Sequence, residues 1–302
     1  MTFVVSGEFF PQGLAVLFTC GVIFTMVARP AAAATPEDIS KVKERLLADL
    51  LPQDEKGAAA QKVIAEGRTL AASLQPDGAW KEVDYKDQTT GSYWDTAKHP
   101  SRVLTMAKAF RLAGKDQTLK EKVVLALGLW LARDLKCKNN WWNIIGIPQS
   151  LWQVLLLMEN ELPEKQVQAC LELIGRGYRD GKWEFGGSRT GTGQNLVWIA
   201  ALQFYRALLM GNAEAAALHF QRIAKEIFIA KGNLEGIKAD HSFWQHGELL
   251  YSGGYGLAFA SDCARLAAMV HGTSFQWPDE KLKLLSAYLL EGQVWMCRGE
   301  AF

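Results

Sequence analysis

The sequence predicts an all-α fold, a ring of helical hairpins that forms an incomplete α/α toroid. Apolar residues recur at helical spacing along most of the 302-residue chain, and no stretch alternates convincingly as a strand would. Long loops rich in Trp, Asn, His and Tyr recur between alternate helices, which would gather these loops at one end of a ring. An α-solenoid is the alternative, but helix pairs repeat every roughly 40 to 60 residues, too irregularly for a named solenoid repeat.

Helical periodicity and breaker residues delimit the elements in chain order. Pro36 opens the first helix, Pro76-Asp77-Gly78 stops the second, and a polar, aromatic loop follows before Pro100 opens the third. The nearest candidate for a strand, residues 182–185, is closed off by glycines after one short stretch. The predicted helices cover residues 36–50, 56–74, 100–113, 119–135, 149–159, 163–178, 194–209, 213–230, 255–271 and 278–290.

An apolar segment precedes the first predicted helix. Residues 14–28 are apolar, and four alanines at 31–34 follow shortly after them. Such a run before small residues is typical of a secretory signal with cleavage near Ala34. We therefore expect residues 1–34 to be a signal peptide, residues 35–302 to be one domain, and the protein to be secreted or periplasmic without stable membrane insertion. An uncleaved anchor is the alternative, although the run is short for a spanning helix, which needs about 20 apolar residues.

Composition and charge narrow the function classes. Hydrophobic residues make up 49% of the chain and charged residues 22%, which excludes a disordered protein. The formal net charge of +1 argues against a general nucleic-acid binder, which needs a basic face. The five cysteines are scattered without a C-x-x-C pair, so no metal site is expected and each Cys is interpreted as a small buried hydrophobe. The 11 Trp residues suggest a large core or a groove that stacks rings on a flat ligand.

The first motif that indicates chemistry is the segment Asn139-Asn140-Trp141-Trp142-Asn143. Adjacent residues of a helix do not share a face, so the two Trp are expected in a loop or a first helical turn. Flat apolar rings beside amide donors and acceptors match the surface of a sugar ring. The alternative is that both Trp are core anchors for a loop.

The second motif is the segment 189–198, in which glycines lead into a strongly helical pattern near Gln194. Asn195 would therefore lie in a first helical turn, where free backbone N–H groups and the helix dipole favour an anion. Its amide could donate to a carboxylate without forming a competing ion pair. A simple helix N-cap is the alternative role for this residue.

The third motif, residues 240–256, contains the greatest concentration of reactive side chains. His246 and Tyr255 would lie on opposite faces of a straight helix, but Ser252-Gly253-Gly254 breaks the chain and lets Tyr255 turn back towards His246. An imidazole and a phenol on a glycine-bent loop indicate an acid–base site. A buried Tyr beside a hydrogen-bonded His is the alternative.

These three motifs occur in an order that resembles polysaccharide lyase family 8, which contains hyaluronate, chondroitin AC and xanthan lyases. The matching patterns are Asn-Trp-Trp…Ile-Gly-Ile-Pro, Thr-Gly-x-Asn, and Asp-x-Ser-Phe-x-x-His…Tyr-x-Gly-x-Tyr-Gly. Arg102 on an early helix and Arg298 in Trp295-x-x-Arg298-Gly299 also resemble family positions. The resemblance extends from about residue 80 to residue 302.

The resemblance implies β-elimination on a uronic-acid polysaccharide, which leaves an unsaturated uronate end. By motif match, Asn195 would stabilise the charge that develops on the substrate carboxylate, and His246 would assist it or accept the C5 proton. Tyr255 would act as the base, as the acid to the leaving oxygen, or as both. The implied substrate-binding residues are Arg102, Asn140, Trp141, Trp142 and Arg298. The implied partner is an acidic polysaccharide, with no metal or organic cofactor, and we expect a monomer.

Two departures from the family pattern leave alternatives open. His241 stands where the family usually has Gly, and the chain stops at Phe302, so the family's C-terminal β-sandwich domains and further arginines are absent from this sequence. A non-catalytic or weakly active carbohydrate-binding toroid is therefore one alternative. A glycoside hydrolase is another, with Glu184 and Glu248 as the carboxylates, although these two residues form no recognisable pair motif.

Overall fold

The computed structural model describes residues 33–186 and 189–296, and their fold is mostly helical. All ten predicted helices are present, with ends that differ by a few residues. These helices are Pro36–Leu50 (α1), Ala58–Ser73 (α2), Lys98–Leu112 (α3), Gln117–Arg133 (α4), Ile147–Leu157 (α5), Glu164–Ile174 (α6), Gly193–Leu209 (α7), Ala213–Ala224 (α8), Leu257–Val270 (α9) and Asp279–Ala287 (α10). No helix in this described part is long and apolar enough to cross a membrane.

The sequence shows no convincing strand pattern, but the described residues also form two small antiparallel sheets, with strand orders β1-β2-β3 and β4-β5-β6. The strand candidate at residues 182–185 lies within β2. Each strand is two to five residues long, which is too short to show an alternating pattern. The strands are Tyr178–Arg179 (β1), Lys182–Gly186 (β2), Arg189–Thr190 (β3), Gly236–Ile237 (β4), Phe243–Gln245 (β5) and Leu249–Leu250 (β6).

The helices pack as two layers of successive hairpins. Helices α3, α5, α7 and α9 lie side by side in an inner layer, while α2, α4 and α6 lie side by side outside them, and α8 and α10 pack on α7 and α9. This alternation of inner and outer helices confirms the incomplete α/α toroid. Because one outer helix separates successive inner helices, the inner helices run parallel, and their N-terminal ends lie at the same end of the layer.

The hydrophobic core lies between the two layers. Helix α7 is buried along nearly its whole length, as expected for an inner helix with neighbours on several sides. The core also contains the buried rings of Trp80, Trp152 and Trp277. Three of the five cysteines, Cys137, Cys170 and Cys263, are buried free thiols, in agreement with their interpretation as small hydrophobes.

Helix α1 closes the end of the layer where the inner helices finish. Arg45 donates from Nη1 to the carbonyls of Met269 (2.8 Å) and His271 (2.7 Å) at the C-terminal end of α9. Lys43 pairs with Glu159, just beyond α5. The opposite end of the layer therefore holds the N-terminal ends of α5, α7 and α9, and the three sequence motifs lead directly into these helices.

Candidate active site

The paired tryptophans lie at the approach to α5, where a π-helical turn, Trp142–Gly146, precedes the helix. Their rings meet edge to face at 5.1 Å. Trp142 is partly buried against the main core, and its ring lies 6.3 Å from the Trp94 ring. This ring therefore anchors the loop while part of it stays exposed. Trp141 packs instead against Trp198 of α7, with ring centroids 5.7 Å apart.

Asn140 connects this tryptophan turn to the first sheet. Its Nδ2 donates to the carbonyl of Phe185 in β2, and its Oδ1 accepts from Asn143 Nδ2 at 3.3 Å. A Cβ at Gly186, whose φ is +105°, would collide with the Asn140 amide. Asn140 therefore holds β2 against the turn, and substrate binding by this residue remains a prediction.

Asn195 is the third residue of α7, and only 8% of it is exposed. The N-cap of α7 is Thr192, so the alternative that Asn195 is an N-cap is wrong. Its Oδ1 has no hydrogen-bond partner, and its side chain forms a hydrogen bond with Tyr255 that lowers the tyrosine pKa. Asn195 thus offers an uncommitted amide oxygen beside a phenol.

The backbone N–H groups at the start of α7 are already committed. Gly193 N–H donates to Glu226 Oε2 at 3.0 Å, and Gln194 N–H donates to Gln245 Oε1 at 2.9 Å. Burial raises the pKa of Glu226, against the opposing effect of Arg222. The expectation that free N–H groups here await a substrate anion is therefore wrong for these two groups, because the chain supplies its own acceptors.

His246 and Tyr255 face each other across the third motif. Their ring centroids are 4.9 Å apart at an interplanar angle of 86°. His246 lies in the exposed turn between β5 and β6 with a φ of +58°. Tyr255 is half-buried in the π-helical turn Ser252–Gly256. Together with the Asn195 contact, this geometry brings an amide, an imidazole and a phenol from distant parts of the chain to one place.

The surroundings of Tyr255 favour its protonated form. Burial raises its pKa above the ordinary value of 10, and the neighbouring Tyr251 and the carboxylate of Glu235 raise it further, whereas only Asn195 acts in the opposite direction. Tyr251 lies 5.0 Å from Tyr255 and 6.0 Å from His246, measured between ring centroids. Tyr255 is therefore protonated near pH 7.

The sequence analysis missed Trp198 and its partner Asp262. The Trp198 ring lies 5.7 Å from the Tyr255 ring as well as 5.7 Å from Trp141. Its Nε1 donates to Asp262 Oδ2 at 2.8 Å, and Gln194 Nε2 donates to the same oxygen at 2.6 Å. Trp141, Trp198 and Tyr255 thus form a continuous aromatic wall. Helical spacing could have identified Trp198, because it lies three residues after Asn195 and so on the same helix face.

Of the two predicted arginines, Arg102 is not joined to this cluster. Arg102 pairs with Glu82 (Nη1–Oε1 2.5 Å) and stacks 5.3 Å above the Trp80 ring. Within the described residues, no hydrogen bond, ion pair or ring contact joins Arg102 to Asn195, His246 or Tyr255. Arg298 lies outside the described residues. Substrate binding by either arginine stays a prediction.

His241, the departure from the family pattern, lies outside the cluster and has a φ of +60°. Glycine adopts this left-handed conformation without steric cost, which gives a physical reason for the family's preference. His241 Nδ1 lies 3.7 Å from Glu291 Oε2. The two carboxylates of the hydrolase alternative lie on different hairpins, Glu184 in β2 and Glu248 in the turn between β5 and β6.

Comparison with known proteins gives a family match over most of the chain. Residues 47–296 match the family described as polysaccharide lyase family 8, N terminal alpha-helical domain. Chondroitinase-AC of Pedobacter heparinus is 32% identical over 238 residues, which cover 75% of this chain and 32% of that protein. Hyaluronate lyase of Thermasporomyces composti is 23% identical over 296 residues, or 91% of this chain and 36% of that protein. The chain thus spans about a third of the length of these curated relatives.

A solved structure shows the same fold. The structure of chondroitinase AC lyase, determined as enzyme–oligosaccharide complexes, superposes with a TM-score of 0.76 and 28% sequence identity. The superposition covers 87% of this chain and 37% of the other. The helical part of a much longer protein therefore corresponds to nearly all of the present fold.

Proposed function

Because the chain belongs to polysaccharide lyase family 8, we propose that it is a lyase that cleaves a uronic-acid-containing polysaccharide, such as a glycosaminoglycan, by β-elimination. The main support is the convergence of Asn195, His246 and Tyr255 beside an aromatic wall. The nature of the relatives adds to this, since two of them are a chondroitinase and a hyaluronate lyase.

The proposed reaction removes the C5 proton of the uronate and expels the oxygen on C4. The C5–H bond breaks, its electron pair forms the C4–C5 double bond, and the C4–O bond breaks with proton transfer to the leaving oxygen. Negative charge builds up on the uronate carboxyl group during the first step. Donors that face that charge stabilise it, and we assign this role to the Nδ2 group of Asn195, whose side chain already bonds to Tyr255.

The proton transfers are assigned to the facing pair. Tyr255 is neutral because its pKa is raised, so it can donate a proton to the leaving oxygen without prior ionisation. Imidazole is the side chain most often used as a general base, and the His246 ring lies against Tyr255 at 4.9 Å. A tyrosinate base would need a cation near the phenol to lower its pKa.

The aromatic wall is proposed to hold the sugar chain. Trp141 and Trp198 present rings that continue to Tyr255, and flat apolar rings stack on the apolar face of a sugar. This arrangement assigns positioning to the tryptophans and proton transfer to the adjoining side chains.

The proposed activity has a direct optical test. The full chain is incubated with hyaluronan, chondroitin sulfate, xanthan or alginate, and the ultraviolet absorbance of the conjugated double bond is followed. Rising absorbance with at least one uronate polymer is expected. New reducing ends without that absorbance would indicate hydrolysis instead. Binding of a polymer without any bond cleavage would support the non-catalytic carbohydrate-binding alternative.

We further propose that residues 1–34 direct export, so that the protein is secreted or periplasmic. The support is the apolar run at 14–28 followed by four alanines. N-terminal sequencing of protein collected outside the cytoplasm should begin near Thr35. A start at Met1, or protein found only in the cytoplasm, would contradict this proposal.

A further inference from the structure

Glu235, on the loop before β4, connects two segments that are far apart in sequence. Its Oε2 accepts from Thr192 Oγ1 at 2.6 Å, and its Oε1 accepts from Gly247 N–H at 3.0 Å. Thr192 is the N-cap of α7 and precedes Asn195 by three residues. Gly247 directly follows His246. One carboxylate therefore joins the segment that carries the amide to the turn that carries the imidazole.

Gln245 completes the connection from inside the protein. This fully buried side chain donates from Nε2 to Glu235 Oε2, and its Oε1 accepts from Gln194 N–H. Gly193 has a φ of +53°, and a Cβ there would collide with Gln245 Oε1. The close approach of the Gln245 amide to the helix start thus depends on glycine, and both ends of that buried amide have hydrogen-bond partners.

The His246 turn needs such an anchor. His246 and Gly247 both have positive φ, +58° and +81°, and a left-handed conformation is unfavourable for a residue with a Cβ. His246 is exposed, so little packing holds its backbone. The bond from Gly247 N–H to Glu235 lies immediately beside this strained residue and fixes the turn to the start of α7.

We propose that Glu235 is a positioning residue for the elimination, which fixes His246 relative to Asn195 and Tyr255 through its bonds to Thr192, Gln245 and Gly247. This inference rests on the proposed function for its kinetic consequence, but the geometric consequence can be measured without substrate. The hydrogen bonds of Glu235 run to Thr192, Gln245 and Gly247 and not to His246 or Tyr255, so it holds the two rings through the backbone that carries them.

The first test compares Glu235→Gln with wild type, with Glu66→Gln as the matched control. Glu66 is an exposed residue on the outer helix α2. Loss of the carboxylate should let the His246 turn shift, and a displacement of about 1 Å can lower a rate on the order of 100-fold. We expect kcat to fall by about that factor in Glu235→Gln while KM changes less than about threefold, because the aromatic wall is untouched. The control should keep wild-type values.

A second readout needs no activity. The chain contains five histidines, so the imidazole proton resonances of His246 can be assigned by comparison with a His246→Gln spectrum. These protons lie close to the rings of Tyr255 and Tyr251, which shift their frequencies. In Glu235→Gln the His246 resonances should move towards those of a free imidazole, whereas in Glu66→Gln they should stay in place.

A milder variant covers the case in which Glu235→Gln does not fold. Thr192→Val removes the hydroxyl that donates to Glu235 with little change in shape, and Thr192 makes no side-chain capping bond to its own helix. We expect the same direction of change in the His246 resonances and a several-fold lower kcat. Unchanged His246 resonances in both folded variants would overturn the inference. If wild type cleaves no polymer, the proposed function fails, and the resonances alone still decide the positioning role.

Discussion

At the scale of single residues, the environment of Tyr255 decides which proton transfer it can perform. The pKa of Tyr255 is raised first by burial and then by Tyr251 and Glu235. The phenol is therefore protonated at neutral pH and available as an acid. The Glu235 carboxylate therefore has two effects. Its hydrogen bond to Gly247 holds the His246 turn, and its negative charge favours the neutral phenol of Tyr255.

Removing the Tyr255 hydroxyl should separate catalysis from binding. Tyr255→Phe keeps the ring that contacts His246 and Trp198 but cannot transfer a proton. Because a positioned acid or base contributes about 10²- to 10⁴-fold, the ultraviolet signal should fall by at least two orders of magnitude while polymer retardation in affinity electrophoresis persists. Tyr93→Phe, at an exposed tyrosine, is the control. Wild-type rates in Tyr255→Phe would remove this residue from the mechanism.

Burial holds His99, at the start of α3, in its neutral form, and its ring makes two hydrogen bonds. Its Nε2–H donates to the Ala126 carbonyl (2.9 Å), so its Nδ1 accepts from the Tyr85 hydroxyl (2.9 Å). The pKa of His99 is lowered from 6.5 to about 4 by burial first and then by Arg133 and Arg102, against the opposing effect of the bond to the Ala126 carbonyl. A protonated ring would lose the acceptor at Nδ1 and place a charge in the core.

This lowered pKa predicts acid sensitivity with a definite sign. In the unfolded chain His99 takes up a proton near pH 6.5, whereas in the folded chain it does so only near pH 4. Its contribution to the free energy of unfolding is therefore fully present above pH 6.5 and is lost as the pH falls towards 4. Between pH 7 and 5 the contribution of His99 to the free energy of unfolding should decrease by about 2 kcal/mol. Urea unfolding at several pH values measures this slope.

The control for the His99 prediction is a variant series measured in the same way. His99→Gln retains a donor towards Ala126 but cannot titrate, so its free energy of unfolding should vary less with pH than that of wild type. His271→Gln, at an exposed histidine, should keep the wild-type slope. Equal slopes for wild type and His99→Gln would contradict the assignment.

At the scale of elements, the start of α7 determines where Asn195 points. This helix begins with Gly193 in a left-handed conformation, with its N–H on Glu226 and the next N–H on Gln245. Helix starts usually leave such donors for a capping side chain or an anion. Here distant side chains take both donors, which fixes the first turn and with it the position of Asn195.

Two glycines near opposite ends of α7 allow a matched test of this helix start. Gly193→Ala places a Cβ against Gln245 Oε1, whereas Gly211→Ala, just after the other end of α7, has a similar φ of +67° and nothing within 4 Å. Both variants carry the left-handed strain of about 1 to 2 kcal/mol. Only Gly193→Ala should also lower kcat, by about tenfold or more, because it moves Asn195. Equal activity in the two variants would show that the Gln245 contact is unimportant.

At the scale of the whole described fold, opposite ends of the inner layer have different tasks. The N-terminal ends of α5, α7 and α9 carry the candidate site, whereas α1 binds the C-terminal ends of α5 and α9 through Lys43 and Arg45. A cation at a helix C-terminus satisfies carbonyls that have no partner within the helix. Stability should therefore respond to changes at the α1 end without a matching change in the site.

Arg45→Gln tests whether the α1 end of the inner layer affects stability without affecting the candidate site. The loss of charge-assisted bonds to the Met269 and His271 carbonyls should lower the free energy of unfolding by about 1 to 3 kcal/mol. The elimination rate at 25 °C should stay within about twofold of wild type. Arg68→Gln is the control, because Arg68 is a mostly exposed partner of Asp116 and such surface pairs contribute about 0 to 1 kcal/mol. A large activity loss in Arg45→Gln would show that the two ends are coupled.

Much of this arrangement was predicted from the sequence, but the short sheets, Trp198 and the acceptors at the start of α7 were not. The short sheets were missed although Asp180-Gly181, with φ of +49° and +77°, is a strong two-residue hairpin signal. Trp198 ends the second motif, but it was not predicted as a site residue because a Trp within a helix commonly packs in the core. No local pattern predicts the acceptors at the start of α7. Glu226 lies 33 residues after Gly193, and Gln245 lies 51 residues after Gln194.

The ten helices and the order of the three motifs can be read from the sequence alone, since helical periodicity and glycine breaks are local properties of the chain. The sequence also identified Asn195, His246 and Tyr255 as candidates. Only the tertiary structure decided that these side chains meet, that resident side chains already take the first donors of α7, and that Glu235 joins two distant segments. Such contacts depend on how the helices pack across long separations in sequence, which no local pattern encodes.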